Sequence, residues 1–397
     1  MKTVEEITQI ILSNARDYGV ESLPLGQSVG RVLAEDFVAD RDFPPFDRVN
    51  YDGIAIRFED YEKGQRTFPI IGMQAAGAPQ TAAEAEGNCV EIMTGAILTL
   101  GFDTIVQYEW LVIQDGKATI QEGHKLNINR HIHRKGADRK QGEIITTSGK
   151  IITAAEINIA ATIGKNEILV KKLPTVVILS TGDELVDVSE TPEPHQIRRS
   201  NVFAIAASLG KLGVWVDILH IDDSKEEISA KLELCLADYD VLVLSGGVSE
   251  GKFDYIPEVL DELGVEKLFH QVAQRPGKPF WFGKTERNII FALPGNPVST
   301  FVGTIRYVLP WMRQNLGINA MSTQYARLEE EFQFDKPMQY FLPVKITTDQ
   351  DGVTWALPQK GNGSGDLANM TNMDGFVELP MGQDTFPKGT AYLFWSA

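Results

Sequence analysis

Four carboxylates, Glu184, Asp222, Asp223 and Asp254, stand where apolar runs give way to loops. "VVILS" ends in "TGDEL", "DILHI" in "DDS", "VLVLS" in "GGVSEGKFD", and "NIIFA" in "LPGNPVS". Glycine lets backbone approach a phosphate, and a helix starting just beyond adds N–H groups and partial positive charge. Gly246 and Gly247, with Ser249 in the same loop, have that form. So do Pro294, Gly295, Asn296 and Pro297, with Pro297 suited to the first turn of the next helix. Magnesium prefers oxygen ligands, keeps several waters and binds through one or two carboxylates plus substrate phosphates. The set therefore reads as a Mg²⁺-assisted phosphate site, with Glu184, Asp222, Asp223 and Asp254 on the metal side. Taken singly, each aspartate reads as a helix cap and each glycine loop as a tight turn. Their coincidence at four strand ends favours the site. Arg275 and Lys278 flank the Pro-Gly turn of "QRPGKP", two cations apt for an oxyanion. His131 and His133 alternate as on a strand, but no third ligand stands at a useful spacing for a metal. The chain holds no GxSxG, HExxH, P-loop or GxGxxG motif.

Loops of this kind need strands that end side by side. From Pro174 onward, apolar runs alternate with helical patterns: "TVVILS", "SNVFAIAASLGKLG", "VWVDIL", "SKEEISAKLELCLAD", "VLVLS", "DYIPEVLDELG". That alternation predicts a parallel sheet covered by helices, and ligands bind beyond the carboxyl ends of such strands. "KPFWFG", "NIIFALPG" and the helix "PVSTFVGTIRYVLPWMRQNLG" follow. Beyond Ala320 the pattern returns to strands, predicting a separate C-terminal β-domain. Upstream, residues 3–18 have helical spacing, and Pro44 and Pro45 forbid helix in the segment 43–57. Short β-like runs fill 66–123, and a basic stretch occupies 124–140. "TAAEINIAATIG" carries a Thr cap, a glutamate three residues on, and a closing glycine, the signals of a helix.

A chain of 397 residues predicts about two to four domains. Hydrophobic content of 43% and charged content of 23% are those of a folded soluble protein. No run of about 18 apolar residues predicts a membrane span. The acidic, amphipathic N-terminus lacks the form of a signal peptide, so the cytoplasm is the expected compartment. Two cysteines, Cys89 and Cys235, cannot make a disulfide framework. A net charge of −17 argues against nucleic acid or an anionic membrane as partner. It leaves room for a small anionic substrate in a local pocket.

Seven ordered motifs, "FPPFDRVNYDGIAIR", "EIMTGAILTLGFDTIV", "ILSTGDEL", "QIRRSN", "SGGVSEGKFDY", "RPGKP" and "LPGNPVS", resemble the molybdopterin molybdenumtransferase family, which includes the E-domain of gephyrin. The likeness runs over nearly the whole chain. It implies an elongated N-terminal domain from 1–42 and 138–172, with a β-rich lid domain, 43–137, inserted in it. It further implies a three-layer α/β molybdopterin-binding domain, 173–319, and a C-terminal β-barrel-like domain, 320–397. The implied protein is a homodimer, its active site lying between the α/β domain of one subunit and the C-terminal domain of the other. The implied reaction inserts molybdate into adenylylated molybdopterin and releases AMP, with Mg²⁺ assisting. Implied partners are a molybdopterin adenylyltransferase and molybdoenzyme maturation proteins. By motif, the catalytic set is Glu184, Asp223, Asp254, Asp52 and Thr94. Substrate binding falls to the two glycine loops, Arg275, Lys278, Asp138 and Ser364, the last contributed by the partner subunit.

The chain departs from the family's usual pattern in several places. Arg198 and Arg199 replace a Tyr-Asp pair, and Arg48, Val49, Asn50 and Tyr51 precede Asp52 in place of Asn-Ser-Ala-Met. Gln271 and Pro343 replace basic residues, and Ala368 and Asn369 follow where serines are usual. These changes keep open a non-catalytic molybdopterin-binding or scaffold paralogue, and the likeness of the α/β domain to molybdopterin adenylyltransferases keeps open an adenylyltransferase.

Overall fold

A computed structural model describes residues 1–248, 254–359 and 367–397. At its centre is a six-stranded sheet. Strands Val216–Ile221, Val176–Thr181, Val241–Ser245 and Ile289–Leu293 run parallel in that spatial order, followed by Trp281–Lys284 and Glu266–His270. Every residue of Val176–Thr181, Val241–Ser245 and Ile289–Leu293 is buried. Helices cover both faces, so these strands read as unbroken apolar runs rather than alternating ones. One layer packs Val202, Ile205 and Leu209 of helix Asn201–Gly210 on the sheet, and the other packs Ile228 and Leu232 with Ile256, Val259 and Leu260.

The sheet is mixed, not wholly parallel as the alternation suggests. Glu266–His270 pairs antiparallel with Trp281–Lys284, and that strand pairs antiparallel with Ile289–Leu293. The connections explain it: each is too short for a crossover helix, which parallel pairing requires. The last helix is continuous, but Thr304–Val308 opens to a π-turn between Pro297–Gly303 and Leu309–Asn315. Pro310 has no N–H to offer the preceding turn, and the widened ladder accommodates that loss.

The first helix, Val4–Ser13, starts with a capping box between Thr3 and Glu6. It was expected within the elongated segment. Its Val4, Ile7 and Ile11 instead pack into the core of the α/β domain, beside Trp311 and Met312. The elongated unit proper is built from Val20–Pro24 paired with Glu167–Lys171, Phe37–Val38 paired with Ile144–Thr146, and helix Ala154–Thr162 with its Thr153–Glu156 capping box. The chain leaves and re-enters it side by side: Phe43 bridges Arg139, and the Ala39 N–H reaches Glu143 O at 2.9 Å. Between these crossings lies the lid, a six-stranded sheet from Gly53–Ile56 to Lys117–Ile120.

In the C-terminal domain five strands close on themselves. Gln339–Thr348 pairs with Thr354–Pro358, then Gln324–Leu328, Ala391–Ser396 and Gly375–Leu379 follow, and the last pairs back with Gln339–Thr348. Closure removes the free edges. Gln274–Arg275 adds to this barrel beside Gln339–Tyr340, so the α/β domain and the barrel share a strand pairing.

Candidate functional site

Ends of three neighbouring parallel strands, Val176–Thr181, Val241–Ser245 and Ile289–Leu293, open on one crevice of ≈ 940 Å³. Thr181, Gly182, Glu184, Asp223, Gly246, Gly247, Asp254 and the loop Pro294, Gly295, Asn296 and Pro297 all line it. Sequence reasoning brought these residues to one place, and the structure does too.

The glycine loop is tightly seated. Gly246 and Gly247 have φ of +104° and +69°. A Cβ on Gly246 would sit 3.0 Å from both the carbonyl and Oγ1 of Thr181. One on Gly247 would sit 2.6 Å from Cγ1 of Ile256 and 2.9 Å from Thr181 Oγ1. Only bare backbone fits. Thr181 is buried, lines the crevice, and its Oγ1 finds no hydrogen-bond partner among the described residues. A buried hydroxyl left unmatched at a cavity wall is suited to a ligand.

Asn201 ties the wall together. Its Nδ2 donates to Ser245 Oγ at 3.0 Å, Gly295 O at 2.8 Å and Thr300 Oγ1 at 3.3 Å. Thr300 Oγ1 in turn donates to the carbonyl of Pro294. One amide thus holds both glycine loops in register. The site residues chosen from the sequence did not include Asn201; its place at a helix start directly after "RRS" was the available signal.

The lining is also acidic. At Gly182, φ is +135° and a Cβ would meet the Glu184 carboxylate at 2.5 Å, so that side chain folds back over the glycine. Asp183, also outside the sequence-derived set, accepts the Asp223 N–H at 2.9 Å through Oδ1. Burial pushes the Asp223 carboxyl up, and repulsion from Asp183, Glu184 and Asp254 adds to it, partly opposed by a backbone N–H of Asp183. Asp222 is the exception. Its carboxylate stands 3.6 Å from His220 Nε2, while His220 Nδ1 meets Ser180 Oγ at 2.9 Å, and Asp222 does not line the crevice.

Magnesium fits this donor set. Glu184, Asp223 and Asp254 supply hard oxygen at the rim of a phosphate-shaped loop. Among the described residues no three His, Cys, Asp or Glu side chains form a ready-made cage. A dication held by one or two carboxylates and completed by substrate and water needs no such cage.

The remaining expected residues lie elsewhere. Asp52 accepts the Thr94 N–H at 2.6 Å in the lid. Asp138 accepts from His133 Nε2 at 2.9 Å, and Arg48 donates to His133 Nδ1 at 3.3 Å, which fixes the Nε2–H tautomer. Neither Asp52, Thr94 nor Asp138 lines the crevice of its own chain. Arg275 and Lys278 are exposed and outside its lining, whereas the neighbouring Pro279 is part of it. Ser249 and Ser364 lie outside the described residues. The resemblance implies a C-terminal domain contributed by the other subunit; Leu367 of the same chain also lines the crevice.

Comparison with known proteins covers the chain in three blocks. Residues 2–164 match the family model "MoeA N-terminal region (domain I and II)", 177–314 match "Probable molybdopterin binding domain", and 325–395 match "MoeA C-terminal region (domain IV)". A molybdopterin molybdenumtransferase from Synechocystis sp. is 38% identical over 100% of both chains. One from Staphylococcus epidermidis is 31% identical over 98% of this chain and 93% of its own. A crystal structure of a molybdopterin biosynthesis MoeA protein from Pyrococcus horikosii superposes with a TM-score of 0.85 at 28% identity, covering 99% of this chain and 98% of that one.

Proposed function

The chain belongs to the MoeA family of molybdopterin molybdenumtransferases, and we propose that the crevice at the strand ends is where it transfers molybdenum. The protein is a transferase of molybdenum cofactor biosynthesis. One observation supports the finer reading best. The Gly246–Gly247 loop, which admits only bare backbone, lines together with Glu184, Asp223 and Asp254 a cavity large enough for a pterin nucleotide.

In this reading the substrates are adenylylated molybdopterin and molybdate. Water adds to the phosphoanhydride and AMP leaves, while the two dithiolene sulfurs replace one oxo ligand of molybdate, which departs as water with the two thiol protons. Backbone N–H groups of the Gly246–Gly247 and Pro294–Pro297 loops hold phosphate oxygens, with Thr181 Oγ1 as a further donor. Asn201 keeps both loops at a fixed separation. One or two of Glu184, Asp223 and Asp254 would hold Mg²⁺, which would supply charge neutralisation to the breaking anhydride.

Asp52 and Thr94 in the lid, and Asp138 where the chain returns from it, all stand away from the crevice of their own chain. We place them at the crevice of a second copy in a homodimer, which light scattering would test. No helix among the described residues is long and apolar enough to cross a membrane. We place the protein in the cytoplasm, receiving substrate from a molybdopterin adenylyltransferase and passing product to molybdoenzyme maturation proteins.

The test is incubation of the protein with adenylylated molybdopterin, molybdate and Mg²⁺. AMP release that depends on both molybdate and Mg²⁺ supports the reading. Tight pterin binding with no AMP release would mean a non-catalytic binding protein instead.

A further inference from the structure

Arg198 and Arg199 line the crevice, and among the described lining residues they are the only cationic side chains. Arg275 and Lys278, the cations that the sequence nominates for an oxyanion, are outside that lining. The walls also carry Glu184, Asp223 and Asp254, so an anion entering this cavity meets repulsion unless cations offset it.

The two arginines are fixed rather than loosely solvated. They sit on a short parallel ribbon in which Leu185–Val186 pairs with Ile197–Arg198. Ile197 N–H reaches Glu184 O at 2.8 Å, and Arg199 N–H reaches Val186 O at 3.1 Å. Asp187 anchors Arg199 through Nη2, and Ser189 N–H and Oγ donate to the same carboxylate at 3.0 and 2.7 Å. Arg199 Nε is buried and has no partner among the described residues. Arg198 donates Nε to the Glu190 carbonyl at 2.9 Å, and no hydrogen bond among the described residues engages its Nη groups. Helix Asn201–Gly210 starts immediately after, Ser200 makes no side-chain cap, and Ser200, Asn201 and Val202 stand on the same wall. A guanidinium fork presents parallel N–H donors that match the edge of a tetrahedral oxyanion, and Arg stays charged at any working pH.

We propose that Arg198 and Arg199 form the tetrahedral-oxyanion subsite of this crevice and bind molybdate there. The assignment rests on the transferase reading above. The same chemistry would suit a phosphate of the pterin nucleotide, and the experiment separates the two sources. Arg198→Gln removes an exposed side chain, and Arg199→Lys keeps a cation beside Asp187, so both variants retain the ribbon.

Equilibrium dialysis of full-length wild type with molybdate alone should show saturable binding, weakened roughly tenfold or more in either variant, since a hydrogen bond to a charged group contributes about 1.5–3 kcal/mol. In turnover, KM for molybdate should rise by a similar factor while KM for adenylylated molybdopterin stays put. A rise confined to the pterin nucleotide would assign the arginines to its phosphate and overturn the molybdate subsite. So would molybdate binding that is indifferent to both substitutions. Arginine-dependent molybdate binding without any AMP release would leave the subsite standing and overturn the proposed reaction.

Discussion

Thr181 and Gly247 touch across the neighbouring strand ends: a Cβ on Gly247 would come within 2.9 Å of the Thr181 hydroxyl. The same Cβ would press to 2.6 Å on Ile256, a fully buried residue on the helix that follows. Backbone conformation, the strand-end hydroxyl and the first turn of the next helix therefore converge on a residue without a side chain.

Gly247→Ala should thus fail twice. Its φ of +69° disfavours any side chain, and the contact with Ile256 must be relieved by moving the loop. The strain alone is about 1–3 kcal/mol. Urea unfolding should report that loss, and KM for the pterin nucleotide should rise more than tenfold in conditions where the variant is still folded. A variant with wild-type KM would mean that the loop does not hold phosphate.

Arg306 and Glu378 form an ion pair between the last helix of the α/β domain and the barrel, with side chains 4% and 12% exposed. Trp395 Nε1 and Gln339 Nε2 also donate to Glu378, at 2.9 and 3.0 Å, and the Arg306 guanidinium lies 4.9 Å from the Trp395 ring centroid. Glu378→Gln leaves Arg306 charged and buried, and should lower unfolding free energy by about 3–5 kcal/mol. Arg306→Met with Glu378→Leu removes both charges, and should recover most of that loss. Urea titration of the three proteins checks both statements. A harmless Glu378→Gln would show that the pair contributes nothing.

Glu184→Ala and Asp254→Ala should slow AMP release at least tenfold and raise the Mg²⁺ concentration needed for half-maximal rate, with little change in melting temperature. Asp222→Asn should leave the Mg²⁺ dependence near wild type, because Asp222 faces His220 instead of the crevice. A strong Mg²⁺ phenotype for Asp222 would overturn that division.

Asp222 and Asp223 show where sequence reading stops. Apolar runs ending in glycine located the strand ends, and the strand ends located the crevice, because helix-covered parallel strands announce themselves by composition. Which of two adjacent aspartates enters the cavity depends on strand-end geometry, and spacing alone did not decide it. Asn201 was passed over because its role comes from Ser245, Gly295 and Thr300, in two segments distant in sequence. Arg275 and Lys278 looked suited to an oxyanion, but neither lines the crevice, and the Gln274–Arg275 pairing with the barrel is a long-range contact that spacing does not announce. Helix Val4–Ser13 followed its amphipathic pattern faithfully, yet the pattern could not say which domain would cover its apolar face.

Asp223 gives a prediction with a sign. Its folded carboxyl is pushed above the ordinary carboxylate range, by burial first and then by Asp183, Glu184 and Asp254. The folded state therefore holds this proton more tightly than the unfolded chain does. Linkage makes that contribution fully favourable below the unfolded pKa and progressively lost as pH rises through the folded value. At neutral pH the ionised Asp223 is thus a destabilising group. Asp223→Asn should melt higher than wild type at pH 7 without Mg²⁺, and the advantage should vanish at pH values where the wild-type carboxyl is protonated in both states. Added Mg²⁺ should raise the melting temperature of wild type more than that of the variant, while the variant's turnover falls. Calorimetry across pH 3–7, with and without Mg²⁺, reads all of this. An Asp223→Asn protein that melts lower than wild type at pH 7 in the absence of metal would show that its neighbours hold the carboxylate favourably, and that repulsion is not what a cation relieves here.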